Sequence, residues 1–128
     1  MTYSESKFRE HLKKVLGEPI FIFKMPDLKQ GAKGIPGMPD YLCISKGQTM
    51  WFEVKTTPSK KSFNLNLVSE TQYIMFNKMH DAGAIIYIAA YLNKELYVVP
   101  YKEIRVTKFL TTETSITAEK LNSWRVKW

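Results

Sequence analysis

Asp40, Glu53 and Lys55 carry groups able to hold a cation and move a proton, and all three fall in the run from Gly37 to Lys55. Two short apolar segments in that run meet at Lys46-Gly47, a pair suited to a two-residue hairpin turn. If Ser45 pairs with Gln48 across the turn, Asp40 falls opposite Glu53 with Cβ atoms roughly 5 Å apart. Lys55, two residues beyond Glu53, then faces the same way. Two carboxylates at that range repel by about 3 kcal/mol at an effective dielectric near 20, so the pair is best tolerated with a cation between them. The stretch reads as half of a metal site.

A third carboxylate comes from the N-terminal segment. Phe8, Leu12, Val15 and Leu16 recur at helical spacing. Taking Phe8 as zero on a helical wheel, Glu5 lies at about 60°, within the apolar stripe, and Glu10 at about 200°, on the solvent side. Glu5 is therefore the preferred acid and Glu10 the alternative. Glu5 also suits a capping box with Thr2, a role compatible with the first. Three carboxylates and a lysine around a hard divalent ion such as Mg²⁺ suit phosphodiester hydrolysis, because carboxylate oxygens bind the ion and leave places for water and a phosphate oxygen. Lys24, Lys33, Lys60 and Lys61 flank the same edge and are candidates to hold backbone phosphates; each equally fits a solvated basic rim.

An acid-x-lysine triplet alone is weak evidence, since Glu5-Ser6-Lys7 and Asp27-Leu28-Lys29 match it as well as Glu53-Val54-Lys55. Context separates them. Asp40 immediately precedes an apolar strand, and Glu53-x-Lys55 lies in its hairpin partner at a register that joins the acids. Asp27 reads as a turn residue, and Lys55 also serves as a neutralising partner for Glu53.

The elements that must position these groups can be read in order. A first helix spans Thr2 to Leu16 and stops at Gly17. Ile20 to Lys24 reads as a buried strand, Pro26 to Pro39 as a loop, and Tyr41 to Ser45 and Thr49 to Thr56 as hairpin strands with two apolar faces. Thr57 to Asn66 is polar. Ser69 opens a second helix to about Asp81, with Ser69 and Gln72 as a capping box. Ala84 to Leu92 and Glu95 to Val99 form a second hairpin across Asn93-Lys94. The core order is αβββαββ, an α/β fold. Tyr101 to Phe109 and Ala118 to Trp124 suggest short helices, and Trp124, Arg125, Lys127 and Trp128 suit packing on the core or on a second subunit.

Composition bounds the rest. The 128 residues are 45% hydrophobic and 24% charged, an ordinary balance for one globular domain. The net charge of +7 points to an acidic partner, nucleic acid first. One cysteine, Cys43, excludes an internal disulfide, and with only His11 and His80 no zinc motif can be assembled. No apolar run is long enough for a membrane span, and the acidic N-terminus does not suit a signal peptide, so an intracellular, cytoplasmic protein is expected. No phosphate-binding glycine loop, serine triad or cysteine nucleophile competes with the acid cluster.

Glu5, Pro39-Asp40 and Glu53-x-Lys55 after a first helix resemble the PD-(D/E)XK nuclease superfamily. The segment Ser62-Phe-Asn-Leu65, then Gln72, then Met75 to Gly83 and the strand to Tyr91 is similar to the recombination protein U family of Holliday junction resolvases. Archaeal-type Holliday junction resolvases share the core order but less of the Ser-Phe-x-Leu segment. The resemblance covers most of residues 3 to 105, with 106 to 128 as a C-terminal extension of a single nuclease domain. It implies a restriction-endonuclease-like core with a mixed central sheet flanked by helices. It also implies a homodimer that uses Mg²⁺ or Mn²⁺ to nick four-way DNA junctions, with no membrane partner. Under it, Glu5, Asp40 and Glu53 match the metal-binding acids, Lys55 the catalytic lysine, Gln72 a helix glutamine of the site, and Lys24 a basic position after the first strand. A virus-type replication-repair nuclease that cuts flaps, and a DNA-binding module without cleavage, are the rival readings. Family members carry a long N-terminal arm and a longer insertion before the aspartate; the approach from Pro26 to Pro39 is short here.

Overall fold

The computed structural model describes residues 5–26 and 35–127, and of Glu5 the backbone alone. Its element order is α1 (Glu5–Leu16), β1 (Ile20–Lys24), β2 (Tyr41–Ser45), β3 (Gln48–Thr57), β4 (Ser62–Asn64), α2 (Glu70–Asp81), β5 (Ile85–Leu92), β6 (Glu95–Pro100), α3 (Tyr101–Leu110), β7 (Ser115–Thr117) and α4 (Ala118–Leu121). The expected αβββαββ core is present, with β4 inserted before α2. The central sheet has the order β1-β2-β3-β5-β6. It is mixed: β3 and β5 run parallel, and every other neighbouring pair is antiparallel. Parallel pairing requires a crossover, and α2 supplies it.

Side-chain alternation along the strands divides the interior into two cores. On one face, Phe8 and Leu12 of α1 pack with Tyr41, Cys43, Met50, Phe52 and Ala89. Phe8 meets the rings of Tyr41 and Phe52 at 4.8 and 5.9 Å. On the other, Tyr73 and Phe76 of α2 and Tyr101 and Ile104 of α3 cover Ile86, Ile88, Ala90, Leu92 and Val99. Cys43 is a fully buried core residue, as its place in the strand pattern suggests.

Three expectations need correction. β1 is an edge strand and not a buried one: Phe21 and Phe23 are 54% and 46% exposed, beside an exposed Ile44. Four apolar residues in a row look buried from composition, but an edge strand that lacks a covering helix on one face leaves half of them in water. The polar stretch from Thr57 to Asn66 contains a strand, β4, which pairs with β7 and buries Phe63 in the α2-side core, where Leu65 of the following 3-10 turn joins it. The second suggested tail helix is shorter than expected: α4 ends at Leu121 and continues as a 3-10 turn through Trp124. Ile116, Leu121 and Trp124 join the same core, and Val126 N–H donates to Leu96 O at 2.8 Å. This segment thus packs on the core it follows. The predicted loop from Pro26 to Pro39 lies largely outside the described residues, as does Thr2 of the suggested capping box.

Candidate active site

The first hairpin has the register that its turn dictates. Lys46 and Gly47 both adopt left-handed conformations, at φ 52° and 79°, the geometry that lets a two-residue turn follow the twist of its strands. Ser45 pairs with Gln48, and the ladder runs on to Tyr41 opposite Phe52. One step further, Asp40 faces Glu53. The two are locked reciprocally: Asp40 N–H donates to Glu53 Oε1 at 3.1 Å, and Val54 N–H donates to Asp40 Oδ2 at 2.9 Å. Each carboxylate therefore holds the backbone of the other's strand.

Glu53 is 3% exposed, one of only two buried polar residues among those described. Burial, followed by the charge of Asp40, pushes its carboxyl up from an ordinary 4.5 to about 7, while Lys55 and Gln72 pull it down. Lys55 Nζ lies 3.2 Å from Glu53 Oε2. Gln72 completes the group from the first turn of α2: its Nε2 donates to Glu53 Oε2 at 3.0 Å, and its Oε1 accepts from Lys55 Nζ at 3.0 Å. The same Oε1 accepts from Ser69 N–H at 3.0 Å, half of the expected capping box, and Ser69 Oγ accepts from Gln72 N–H at 3.1 Å. One amide thus caps a helix and fixes the catalytic candidates, and its orientation is set by its donors and acceptors.

The approach to Asp40 is held by a close contact that composition alone does not reveal. Gly37 has φ 83°, and a Cβ there would stand 2.6 Å from Thr71 O and 3.1 Å from Met75 Cβ. Only glycine lets this loop lie directly on α2. The sequence signal was present, a glycine two residues before Pro-Asp, but its partner is remote. Pro39 is buried, and Met25 N–H donates to Asp40 O at 2.7 Å, tying the loop to the end of β1.

Above the group opens a cleft of about 530 Å³ lined by Lys24, Gly37, Asp40, Lys55, Ser69 and Gln72, among others. Glu53 lies beneath it. Lys24 also stands over the ring of Tyr41, 5.3 Å from its centroid. Of the remaining candidates, Lys60 and Lys61 are exposed and line no part of this cleft. Glu10 is exposed on α1, as the wheel requires. Glu5 opens α1, but its side chain is outside the description, and Lys33 is outside the described residues. Among the described residues no group of three His, Cys, Asp or Glu side chains converges; Asp40 and Glu53 form a pair.

The donor set fits a hard divalent cation. Both carboxylates keep lone pairs beyond those their hydrogen bonds use, and a carboxyl raised first by burial and then by a neighbouring acid is one that added positive charge would stabilise in its ionised form. Among the described residues, Asp40 and Glu53 are the ones placed to hold it.

Comparison with known proteins agrees with this architecture. The model of the recombination protein U family matches residues 26–127. No curated protein sequence matches the chain. Among solved structures, Archaeoglobus fulgidus Hjc, described as a Holliday junction resolvase from an archaeal hyperthermophile, superposes with a TM-score of 0.58 at 15% identity, covering 94% of this chain and 93% of that one. The likeness extends over almost the whole of both chains, and the shared fold is the restriction-endonuclease-like mixed sheet described above. With its hairpin acids, its Ser-Phe-Asn-Leu segment and its capped second helix all inside the matched span, the chain belongs to the recombination protein U family.

Proposed function

We propose that this chain is a metal-dependent, structure-selective DNA endonuclease that resolves four-way junctions as a homodimer inside the cell. The observation that carries the reading is the Asp40–Glu53–Lys55–Gln72 network at the floor of a cleft rimmed by Lys24. A pure binding module has no use for a buried Glu53 set against a second acid, which costs stability wherever both are ionised. Family membership, and the description of Hjc as a resolvase, support the choice of a branched substrate.

Asp40, Glu53 and Glu5 would hold Mg²⁺ or Mn²⁺, which would supply a lowered water pKa and a positive charge near the phosphate. The chain's own groups do the rest. Lys55, anchored by Glu53 and Gln72, keeps its ammonium at the cleft wall, where it orients the attacking water and offsets charge growing on the phosphate oxygens. Gln72 holds Lys55 and Glu53 at fixed separation without adding charge. Lys24 contributes a phosphate contact at the rim. The paired cuts of a two-fold symmetric junction ask for two active sites at fixed separation, which a two-fold dimer provides.

The test compares a four-way junction, a flap and a linear duplex, each with Mg²⁺ or Mn²⁺. The junction should be cut fastest, by paired nicks. A preference for the flap favours the replication-repair type of nuclease, and no cleavage of any substrate overturns the enzymatic reading.

A further inference from the structure

β3 and β5, running parallel, end together at Thr57 and Leu92, on the same end of the sheet as Lys55. The chain then turns back through Asn93 and Lys94, at φ 51° and 64°. Asparagine tolerates the left-handed region, but at the second position glycine is the usual choice, and a lysine there carries a conformational cost. Backbone geometry does not account for it. Around this turn opens a second cleft of about 530 Å³, on the α1 side of the sheet. Lys7 of α1, Lys60 of the loop after β3, and Lys94 of the turn all line it, together with Thr57, Asn93 and Tyr91. No acid is found among its described lining residues. Lys7 Nζ lies 5.9 Å from the centroid of the Tyr91 ring, and Lys60 and Lys94 are exposed.

Three ammonium groups from three separate parts of the chain thus face one concavity, with hydroxyl and amide donors between them. Like charges converge in this way where an anion with several oxygens sits between them. The cleft lies next to the active site: Lys55 and Thr57 are two residues apart on one strand, about 7 Å. A nucleic-acid backbone can reach both.

We propose that this second cleft binds backbone phosphates of the DNA beyond the scissile bond, so that the substrate bends round the end of the sheet from the Asp40 cleft to the Lys7–Lys60–Lys94 cleft. The identity of the ligand rests on the nuclease reading; the site itself rests on the cleft.

The left-handed turn offers a clean test. Lys94→Gly suits φ 64° better than lysine does, so it removes the charge without harming the fold, and its melting temperature should equal or exceed that of the wild type. Lys46→Gly is the matched control: the same charge loss at another left-handed turn, φ 52°, at the opposite end of the sheet. Binding of a labelled four-way junction to the full chain is followed by anisotropy in EDTA from 50 to 200 mM salt. Loss of one phosphate contact should weaken Lys94→Gly about five- to tenfold at 0.1 M salt and flatten the salt slope by about 0.9. Lys46→Gly should bind within about twofold of the wild type. Adding Lys60→Ala to Lys94→Gly should weaken binding further. Equal weakening by the two glycine variants shows that only net charge matters and overturns the proposal, as does unchanged binding by Lys94→Gly. If the wild type cuts junctions while Lys94→Gly binds normally, this site alone is wrong. A wild type that neither binds nor cuts DNA removes the nuclease reading and this one with it.

Discussion

The two hairpins of the sheet, β2–β3 and β5–β6, are built alike and used differently. Each has a two-residue turn with both residues left-handed, Lys46-Gly47 in the first and Asn93-Lys94 in the second. In the first, the turn lies far from the chemistry and acts through register: five paired steps separate it from the point where Asp40 meets Glu53. In the second, the turn itself stands at the active end, because β5 is parallel to β3 and finishes where β3 finishes. The acid pair is therefore set by local rules, whereas what surrounds the second turn is set by the α2 crossover. The difference shows that one turn chemistry can fix a site through the strand ladder or simply present a side chain.

The largest effect that separates the hairpins comes from removing one acid. Asp40→Asn or Glu53→Gln should lower metal-dependent cleavage at least about a thousandfold, as expected when a ligand of a catalytic metal is lost. Junction binding in EDTA should stay within about threefold of the wild type. The first hairpin thereby loses chemistry and keeps affinity, the reverse of what phosphate contacts do. Single-turnover cleavage and anisotropy on the same preparations measure both, and normal cleavage by either variant would falsify the metal assignment.

How much of this was legible depends on the distance over which each contact acts. The Asp40–Glu53 pairing needed only turn type and period-two alternation, and both are written within the twenty residues around Lys46-Gly47. The capping box of Ser69 and Gln72 was equally local. The further bonds from Gln72 to Lys55 and Glu53 were not, because they depend on where α2 lands on the sheet; only the family resemblance pointed to that glutamine. Gly37 was visible as a loop glycine, but its need for the space beside Thr71 was not. The β4–β7 pair escaped notice because three-residue strands carry almost no alternation and their partners lie more than fifty positions apart. The exposure of Phe21 and Phe23 also escaped, since an apolar run does not say which of its faces a helix will cover.

A second, smaller effect is on stability and follows from Glu53. Its folded-state carboxyl titrates at about 7 against an ordinary 4.5, so the folded form keeps a proton that the unfolded chain has lost. The stability contributed by the protonated acid is complete below pH 4.5 and disappears as pH rises through 7. In EDTA, unfolding free energy should fall across that window by on the order of 3 kcal/mol from this group, and Mg²⁺ should restore stability more at pH 8 than at pH 5. In Glu53→Gln that drop should vanish. Urea melts at several pH values test this, and an identical pH slope in wild type and variant would rule out burial of Glu53 as its cause. Gly47 carries no titratable side chain, so Gly47→Ala should shift stability equally at every pH.

The smallest effect probes whether the turn alone holds the register. Gly47 has φ 79°, and a Cβ at this position would meet nothing within 4 Å, so Gly47→Ala brings backbone strain but no clash. The cost should be about 1 kcal/mol. A slip of β2 by one residue would turn Tyr41 and Cys43 away from α1 and expose side chains that are now at most 3% accessible. That penalty far exceeds the strain, so burial should hold Asp40 opposite Glu53 even when the turn is impaired. Gly47→Ala should therefore melt lower but cleave at the wild-type rate well below its melting temperature. A loss of cleavage larger than the unfolded fraction explains would mean that the turn, and not the core, keeps the two acids together.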